Sequence, residues 1–382
     1  MQTDMHYYAI LYLCLAAGLK PEDAVKIAYS SQYVDDAVYS AKVKVIFSDG
    51  SKKVFDPIRC AHNGLKSFGA GVQEKVYFPF HFLPGMQGES YEEKVITQSG
   101  PKNNLCFNDV VKEALTAKNL YRIGISLHVL ADTYSHEGFS GLWSQFNHVE
   151  QVKFMPSKNS WFKSILSKLR WTYRRRLFNL APAIGHGKAG HLPDIPYLGW
   201  SHRTFEGELR LISNNLKFCN CLWILYKNVI SKIPGNRKPR INDDELRKVL
   251  WEGVMQNKTL RRRCNDWRSR IKELFENNNE SPDPGVMRKY SDKKWIKEIG
   301  KIRKRFLFIK SRFKVKVLEK DFRESDIFKF HVEALKHRIY IMENTNAAFS
   351  KLTAATGLED FRMSIQMISG SLSQTKKKEL LI

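Results

Sequence analysis

Residues 126–143 read SLHVLADTYSHEGFSGLW, and no other stretch limits the fold as tightly. His128, Asp132 and His136 follow one another at intervals of four residues. On an α-helix such positions stack along one face and drift only slowly around it. The three polar side chains then point one way, from a helix whose Leu127, Val129, Leu130 and Ala131 call for burial. Neutral imidazole and carboxylate are ligands for zinc and related divalent metals. The fold must therefore turn this stripe to solvent or build a metal site against it.

A chain of 382 residues can bury one large core or two smaller ones. Its 23 Phe, 15 Tyr and 8 Trp fit a folded globular protein rather than a disordered one. Six scattered cysteines (Cys14, Cys60, Cys106, Cys219, Cys221, Cys264) form no CxxC pair. They suit reduced thiols in a cytoplasm and speak against a zinc ribbon. The apolar run YYAILYLCLAAGL is too short to span a bilayer and follows Asp4 and His6, not basic residues. Neither a signal peptide nor a transmembrane segment is expected, which implies a cytoplasmic protein or delivery elsewhere by a non-classical route.

The net charge of +24 is uneven. Residues 1–150 hold 14 Lys/Arg and 16 Asp/Glu, residues 151–231 hold 13 and 3, and residues 232–320 hold 27 and 12. Nine of the eleven histidines lie at or before His202. A His/Asp-rich front thus precedes a basic remainder, whose field favours a polyanionic partner such as nucleic acid or an anionic membrane surface. The division expected is a His/Asp-rich helical unit over 1–231 and a basic helical region over 232–382 packed on it.

The spacing predicts a helix over residues 5–19 stopped by Gly18, and a second opened by Pro21 that runs through AVKIAYSSQYVDDAV and presents Asp35 and Asp36 near its end. Alternating Val43, Val45 and Phe47, the Asp49-Gly50 turn, and Val54 and Phe55 predict a β-hairpin at about 42–56. EKVYFPFHFLPG reads as extended, with His81 in a loop or short strand. Residues 106–136 return to helix, 177–200 form a Gly/Pro-rich loop carrying His186, His191 and Asp194, and a long helix starts near Ser201. On that helix His202 and Glu206 would share a face. Further helices are expected over 244–276 and 328–352, with polar breaks at 233–242 and 277–285 and a loose TKKKELLI tail. His6, His62, His81, His186, His191 and His202, near Asp4, Asp35, Asp36 and Asp194, offer two or three metal sites drawn from separate segments.

As a set, MQTDMHYY, SSQYVDD, FPFHFLPG, HVLADTYSHEGFSG and IGHGKAGHLPDIPYLGW resemble the zinc-dependent phospholipase C and single-strand nuclease superfamily. More closely they resemble a bacterial family of unknown function related to it, over roughly residues 1–215. The resemblance implies a mainly α fold: a helical phospholipase-C-like bundle with a small β-hairpin insertion and a basic helical C-terminal region. It implies two or three zinc ions, or another divalent metal. Asp35 or Asp36, His81 or His62, His128 and Asp132 would form one site, with Asp132 bridging to another. His136 with His186, and Asp194 or Glu206, would form the second, the pair His202 and Glu206 fitting the superfamily's spacing better. The Met1 amine with His6, close to Asp4, would form the third, and His191 is a further candidate. In the superfamily the His after the shared Asp often lies six residues on, whereas His136 lies four on. Gln2 is bulky, so Met1 is expected to be retained with its amine free.

The reaction implied is phosphoester hydrolysis, with metal-bound hydroxide attacking a phosphodiester and Asp132 and Asp35 as the catalytic carboxylates. No Ser-His-Asp, Cys-His or Walker-type arrangement competes. Phe139 and Trp143 can contact substrate by stacking on a base or dipping into lipid, or can pack in the core. The leading reading is a phospholipase-C-like phosphodiesterase, with peripheral membrane contact. The alternatives are a nuclease of the same superfamily, a non-catalytic nucleic-acid- or membrane-binding protein, and a regulatory or toxin-like component acting through its basic region.

Overall fold

Gly18 closes the first helix and Pro21 opens the second. The computed structural model describes residues 1–38, 42–61, 72–155, 183–235, 238–303 and 312–356. Asp4–Ala9 winds as a π-helix into α1 (Ile10–Ala16), and Gly18 follows at φ +81°. That left-handed value costs glycine nothing. Pro21 sits in the first turn of α2 (Pro21–Asp36), where its missing N–H has no helical partner to lose. β1 (Val43–Ile46) and β2 (Lys52–Phe55) pair antiparallel as the alternation predicts. Helix α3 (Leu105–Ala117) ends at Lys118, left-handed at φ 49°. Asn119 then caps α4 (Leu120–Ser135), its side-chain oxygen accepting from the N–H groups of Tyr121 and Arg122.

The later helices are α5 (Asn214–Asn228), α6 (Asp243–Val254), α7 (Leu260–Glu276) and α8 (Asp326–Thr356). The chain is mainly helical, and α4 is its hub: α2, α3, α5 and α8 all pack against it. Every residue from Tyr121 to Ser135 is buried, so the polar stripe faces the interior and not solvent. Among the described residues no helix is long and apolar enough to cross a membrane.

Closest approach between α2 and α4 is at Gly124. A Cβ there would lie 2.4 Å from the Ile27 carbonyl oxygen and 2.5 Å from the Ser30 Cβ. Because the obstacle is backbone, Gly124→Val must push α2 away, and α2 carries Asp35. Overpacking of this kind costs about 1–3 kcal/mol. The urea midpoint of this variant is expected to fall accordingly, and an unchanged midpoint would show that the two helices do not meet at this distance.

Two elements differ from the sequence reading. His81 lies neither in a strand nor in an extended segment: Gln73–Tyr77 is π-helical, Phe78–Phe80 completes the turn, and His81 stands in the loop turn just after it. Proline has no N–H to return to the carbonyl four residues back and its ring crowds that carbonyl. With Pro79 here, the amide of Phe82 reaches five residues back to Tyr77 at 2.9 Å. The second difference follows His191. No helix starts near Ser201; β4 (Gly199–Arg203) and β5 (Leu209–Ser213) form a hairpin, and helix begins only at Asn214. Gly207 at φ +84° makes the turn, and Trp200 pairs with Ile212 and His202 with Arg210 across the two strands. His202 and Glu206 therefore do not share a helix face.

β3 (Glu150–Met155) adds to that hairpin in the order β3-β4-β5. The first hairpin joins β6 (Gly300–Arg303) and β7 (Arg312–Val315) in the order β2-β1-β7-β6, β1 and β7 running parallel. One large core runs from the N-terminal helices to Ile341 in α8, drawing on both sides of residue 231. A smaller one gathers Tyr77, Phe82, Phe139, Leu192 and Trp200. The helical stretch over 244–276 is two helices broken before Leu260, and the TKKKELLI tail lies outside the described residues.

Candidate metal centre

Asp132 stands in the last turn of α4 with its side chain 1% exposed, and nitrogen surrounds it. Its Oδ1 lies 2.9 Å from the Met1 amine and 3.1 Å from His6 Nε2. Its Oδ2 lies 3.0 Å from His81 Nδ1, 3.2 Å from His128 Nε2 and 3.8 Å from His136 Nδ1. Asp194, from the Gly/Pro-rich loop, lies beside this group. Its Oδ1 is 3.2 Å from the Met1 amine and 3.5 Å from His136 Nε2, and its Oδ2 is 3.7 Å from His186 Nε2. Asp35, at the end of α2, places Oδ1 3.7 Å from His128 Nε2 and 3.9 Å from His81 Nδ1.

Among the described residues three triads result: His6, Asp35 and His128; His81, His128 and Asp132, which shares His128 with the first; and, beside them, His136, His186 and Asp194. Two ligands of a tetrahedral zinc with bonds near 2.1 Å stand ~3.4 Å apart, and most of the separations above fall around that value. The hydrogen-bonding of the rings fits the same use. His81 Nε2 lies 2.9 Å from the Cys60 carbonyl, His136 Nδ1 2.7 Å from the His81 carbonyl, and His186 Nδ1 2.7 Å from the Gly190 carbonyl. Each carbonyl takes an N–H, which leaves the other nitrogen of each ring facing a carboxylate and able, once free of its proton, to offer a lone pair to a metal. His6 and His128 stack face to face, ring centroids 3.9 Å apart.

Charge follows the same logic. Burial would drive the Asp132 carboxyl up, but the amine and the His136, His128 and His6 rings outweigh it and hold the group well below the usual carboxylate range. Asp194 is likewise held down, against burial, by the amine and by His186 and His136. Burial lowers the Met1 amine, yet Asp132, Asp194 and Asp35 together raise it to about 11. In the metal-free chain the ammonium is thus the cation that neutralises two buried carboxylates. Burial takes His6 and His186 down to about 4. His81 is raised: burial opposes this, and its hydrogen bond to Asp132 prevails.

These shifts set an acid limit for the metal-free chain. Burial also lowers His331, outside the cluster, to about 3. Unfolded histidines bind protons near their ordinary value of about 6.5. Between there and about 4 the unfolded chain therefore holds more protons than the folded one, and stability rises with pH. His6, His186 and His331, with His202, lowered to about 4, and His337, lowered by burial, contribute fully above about pH 6.5 and lose that contribution on acidification; His81 acts in the opposite sense but is one group against five. Denaturant midpoints of chelated protein are expected to fall between pH 7 and pH 4.5, with about 1.4 kcal/mol for each tenfold difference in proton affinity. A flat profile would contradict the burial of these rings.

The other candidates lie elsewhere. Asp36 accepts from the Tyr290 hydroxyl at 2.6 Å and from Gln32 at 3.3 Å, outside the cluster. Asp4 is buried against Arg263. His191 is exposed, and Glu206 is exposed at the turn of the second hairpin. His202 is buried on β4, stacked on Trp200 with ring centroids 5.0 Å apart, because strand pleating aims it into the small core. Phe139 is buried in that core and offers no surface to a substrate, whereas Trp143 is 68% exposed. His62 lies outside the described residues. The sequence reading missed Ser135, whose Oγ is 3.4 Å from the Met1 amine, and Arg263; neither sits in a pattern that would mark it.

A family model described as "Family of unknown function (DUF6765)" matches residues 1–345. The chain belongs to this family. The DUF6765 match runs well past residue 215, where the resemblance read from the sequence ends, and takes in α6, α7, both later strands and most of α8. All the residues gathered around Asp132, and Arg263 with them, lie inside the DUF6765 span. No curated protein and no solved structure matches the chain.

Proposed function

We propose that this chain is a zinc-dependent phosphoester hydrolase built on a helical phospholipase-C-like bundle. The observation that carries the reading is the carboxylate of Asp132 with five nitrogen donors around it and two further triads sharing its neighbours. Nitrogen and carboxylate donors without thiolate suit zinc. Zinc bound in such a cluster would acidify water and neutralise charge on a phosphoryl group.

The chain's own residues divide the work. Asp132 uses both oxygens and holds the cluster together. His81, His128, His136 and His186 present their lone pairs from rings locked by backbone carbonyls or by stacking. The Asp35 carboxylate, 32% exposed, is the most open acidic group of the cluster, so a phosphodiester enters from its side and Asp35 Oδ1 accepts the proton of the attacking water. A +24 chain draws polyanions to that opening. This charge also favours the second reading, a nuclease with the same centre.

Elemental analysis of protein with a free Met1, joined to hydrolysis assays before and after chelation, tests the proposal. The substrates are phospholipid vesicles and single-stranded DNA. Two or more zinc equivalents and chelator-sensitive cleavage are expected, and the preferred substrate separates the two readings. Fewer than two equivalents, or cleavage of neither, would end it.

A further inference from the structure

Arg263 is 3% exposed, on the first turn of α7, far along the chain from every ligand. Each of its three guanidinium nitrogens donates a hydrogen bond. Nε donates to Asp4 Oδ2 at 2.5 Å, one terminal nitrogen donates to the Lys258 carbonyl at 2.7 Å, and the other donates to the side-chain oxygen of Gln2. Its Cζ also lies 5.5 Å from the ring centroid of Tyr197.

These partners share one property. Gln2 and Asp4 stand one and three residues after Met1, whose amine meets Asp132 and Asp194; His6 follows on the same short segment. Tyr197 lies three residues after Asp194. Arg263 thus grips, at once, the segment bearing the amine and the loop bearing the carboxylate that faces it. Asp4 is wholly buried and its Oδ1 has no hydrogen-bond partner, so the carboxylate has little reason to lie there except to hold the arginine. The planar fork of a guanidinium can bind a carboxylate edge, an amide oxygen and a carbonyl together, which an ammonium cannot.

We propose that Arg263 is a positioning residue of the metal centre: it holds Gln2, Asp4 and the Asp194 loop so that the Met1 amine and Asp194 converge on one ion. The proposal rests on the reading of the cluster as a metal centre. It also gives α7, from the basic region, a part in building a centre whose ligands all come before residue 200.

The test uses the full chain with Met1 unblocked, and two readouts. The first is the rate at which an amine-reactive ester acylates Met1 in chelated protein, followed by the mass of the N-terminal peptide. The second is zinc per chain. In Arg263→Met, Met1 is expected to react at least about tenfold faster and zinc to fall by one equivalent, the others remaining. Asp4→Asn, nearly isosteric, is expected to do the same and serves if Arg263→Met fails to fold; Arg263→Lys rescues neither readout. Arg240→Met is the control. Arg240 donates to the Leu15 and Leu19 carbonyls at 3.0 and 3.3 Å, tying α1 to the later chain without touching the amine segment. It is expected to lower melting while Met1 stays protected and zinc stays full. Unchanged acylation and zinc in Arg263→Met and Asp4→Asn would overturn the proposal, as would equal exposure of Met1 in Arg240→Met. A parent chain without zinc would instead remove the metal reading, while the acylation rates still decide whether Arg263 places the amine.

Discussion

Asp132→Ala is expected to empty the centre of metal and to slow phosphodiester hydrolysis roughly a thousandfold, about 4 kcal/mol of barrier. Asp132 meets the cluster through both oxygens and faces Met1, His6, His81, His128 and His136, more partners than any single imidazole has. Removing it takes an anion from the middle of five donors, and no neighbouring acid can replace it, since Asp194 and Asp35 each face only part of the group. The metal-free variant should also be less stable. It leaves the Met1 ammonium buried with its nearest counter-charge gone, and breaking a buried pair from one side costs about 3–5 kcal/mol. His186→Ala provides the contrast, because His186 belongs to the outer triad alone and should cost one ion. Full zinc content with parental melting in Asp132→Ala would refute the central role given to this carboxylate.

The second large effect is at the other end of the Asp132 contact. One residue added before Met1 turns a buried ammonium into a neutral amide. Asp132 and Asp194, which with Asp35 raise the amine to about 11, then lose that cation, and a metal would lose a ligand nitrogen. The Met1 side chain and amine are both buried, so an added residue also has no room without displacing Gln2 and Asp4. An N-terminal tag is expected to lower zinc by one equivalent and to reduce hydrolysis at least about tenfold, while the same tag after Ile382 leaves both unchanged. Equal zinc and equal rates in the two proteins would make Met1 an ordinary first residue.

What the sequence revealed, and what it hid, follows from the range of each cue. The stripe of His128, Asp132 and His136 is read from helical period alone, and the Pro21 and Gly18 boundaries from single-residue backbone chemistry. Whether the stripe faced water or the interior was not legible, because that depends on α2, α3, α5 and α8 closing around α4, and no local pattern encodes their order. His81 was misplaced in an extended segment because Pro79 suggested a break, whereas the chain answers it with a wider helical turn. His202 and Glu206 match helical spacing, but Gly207 bends the chain between two short strands, and a four-residue interval means nothing there. Asp35 and Asp36 could not be told apart from sequence: Tyr290, more than two hundred residues on, takes Asp36 away from the cluster.

The order in which the chain is made gives the parallel pairing of β1 with β7 a further meaning. Met1, Asp35, His81 and the α4 stripe leave the ribosome early; α7, β7 and α8, which brace or cover them, leave it last. Folding from the N-terminus during synthesis therefore passes through a stage in which a carboxylate ringed by imidazoles is still open to solvent. On the reading of this cluster as a metal centre, such a stage would be open to whichever divalent ion the surroundings supply, since intrinsic affinity at nitrogen and oxygen sites favours several metals over one another with little regard to function. The order of capture and closure would then set which ion is held. Chelated chain refolded with zinc present should load fully, while zinc added after refolding should enter slowly; equal loading in both orders would place capture after closure.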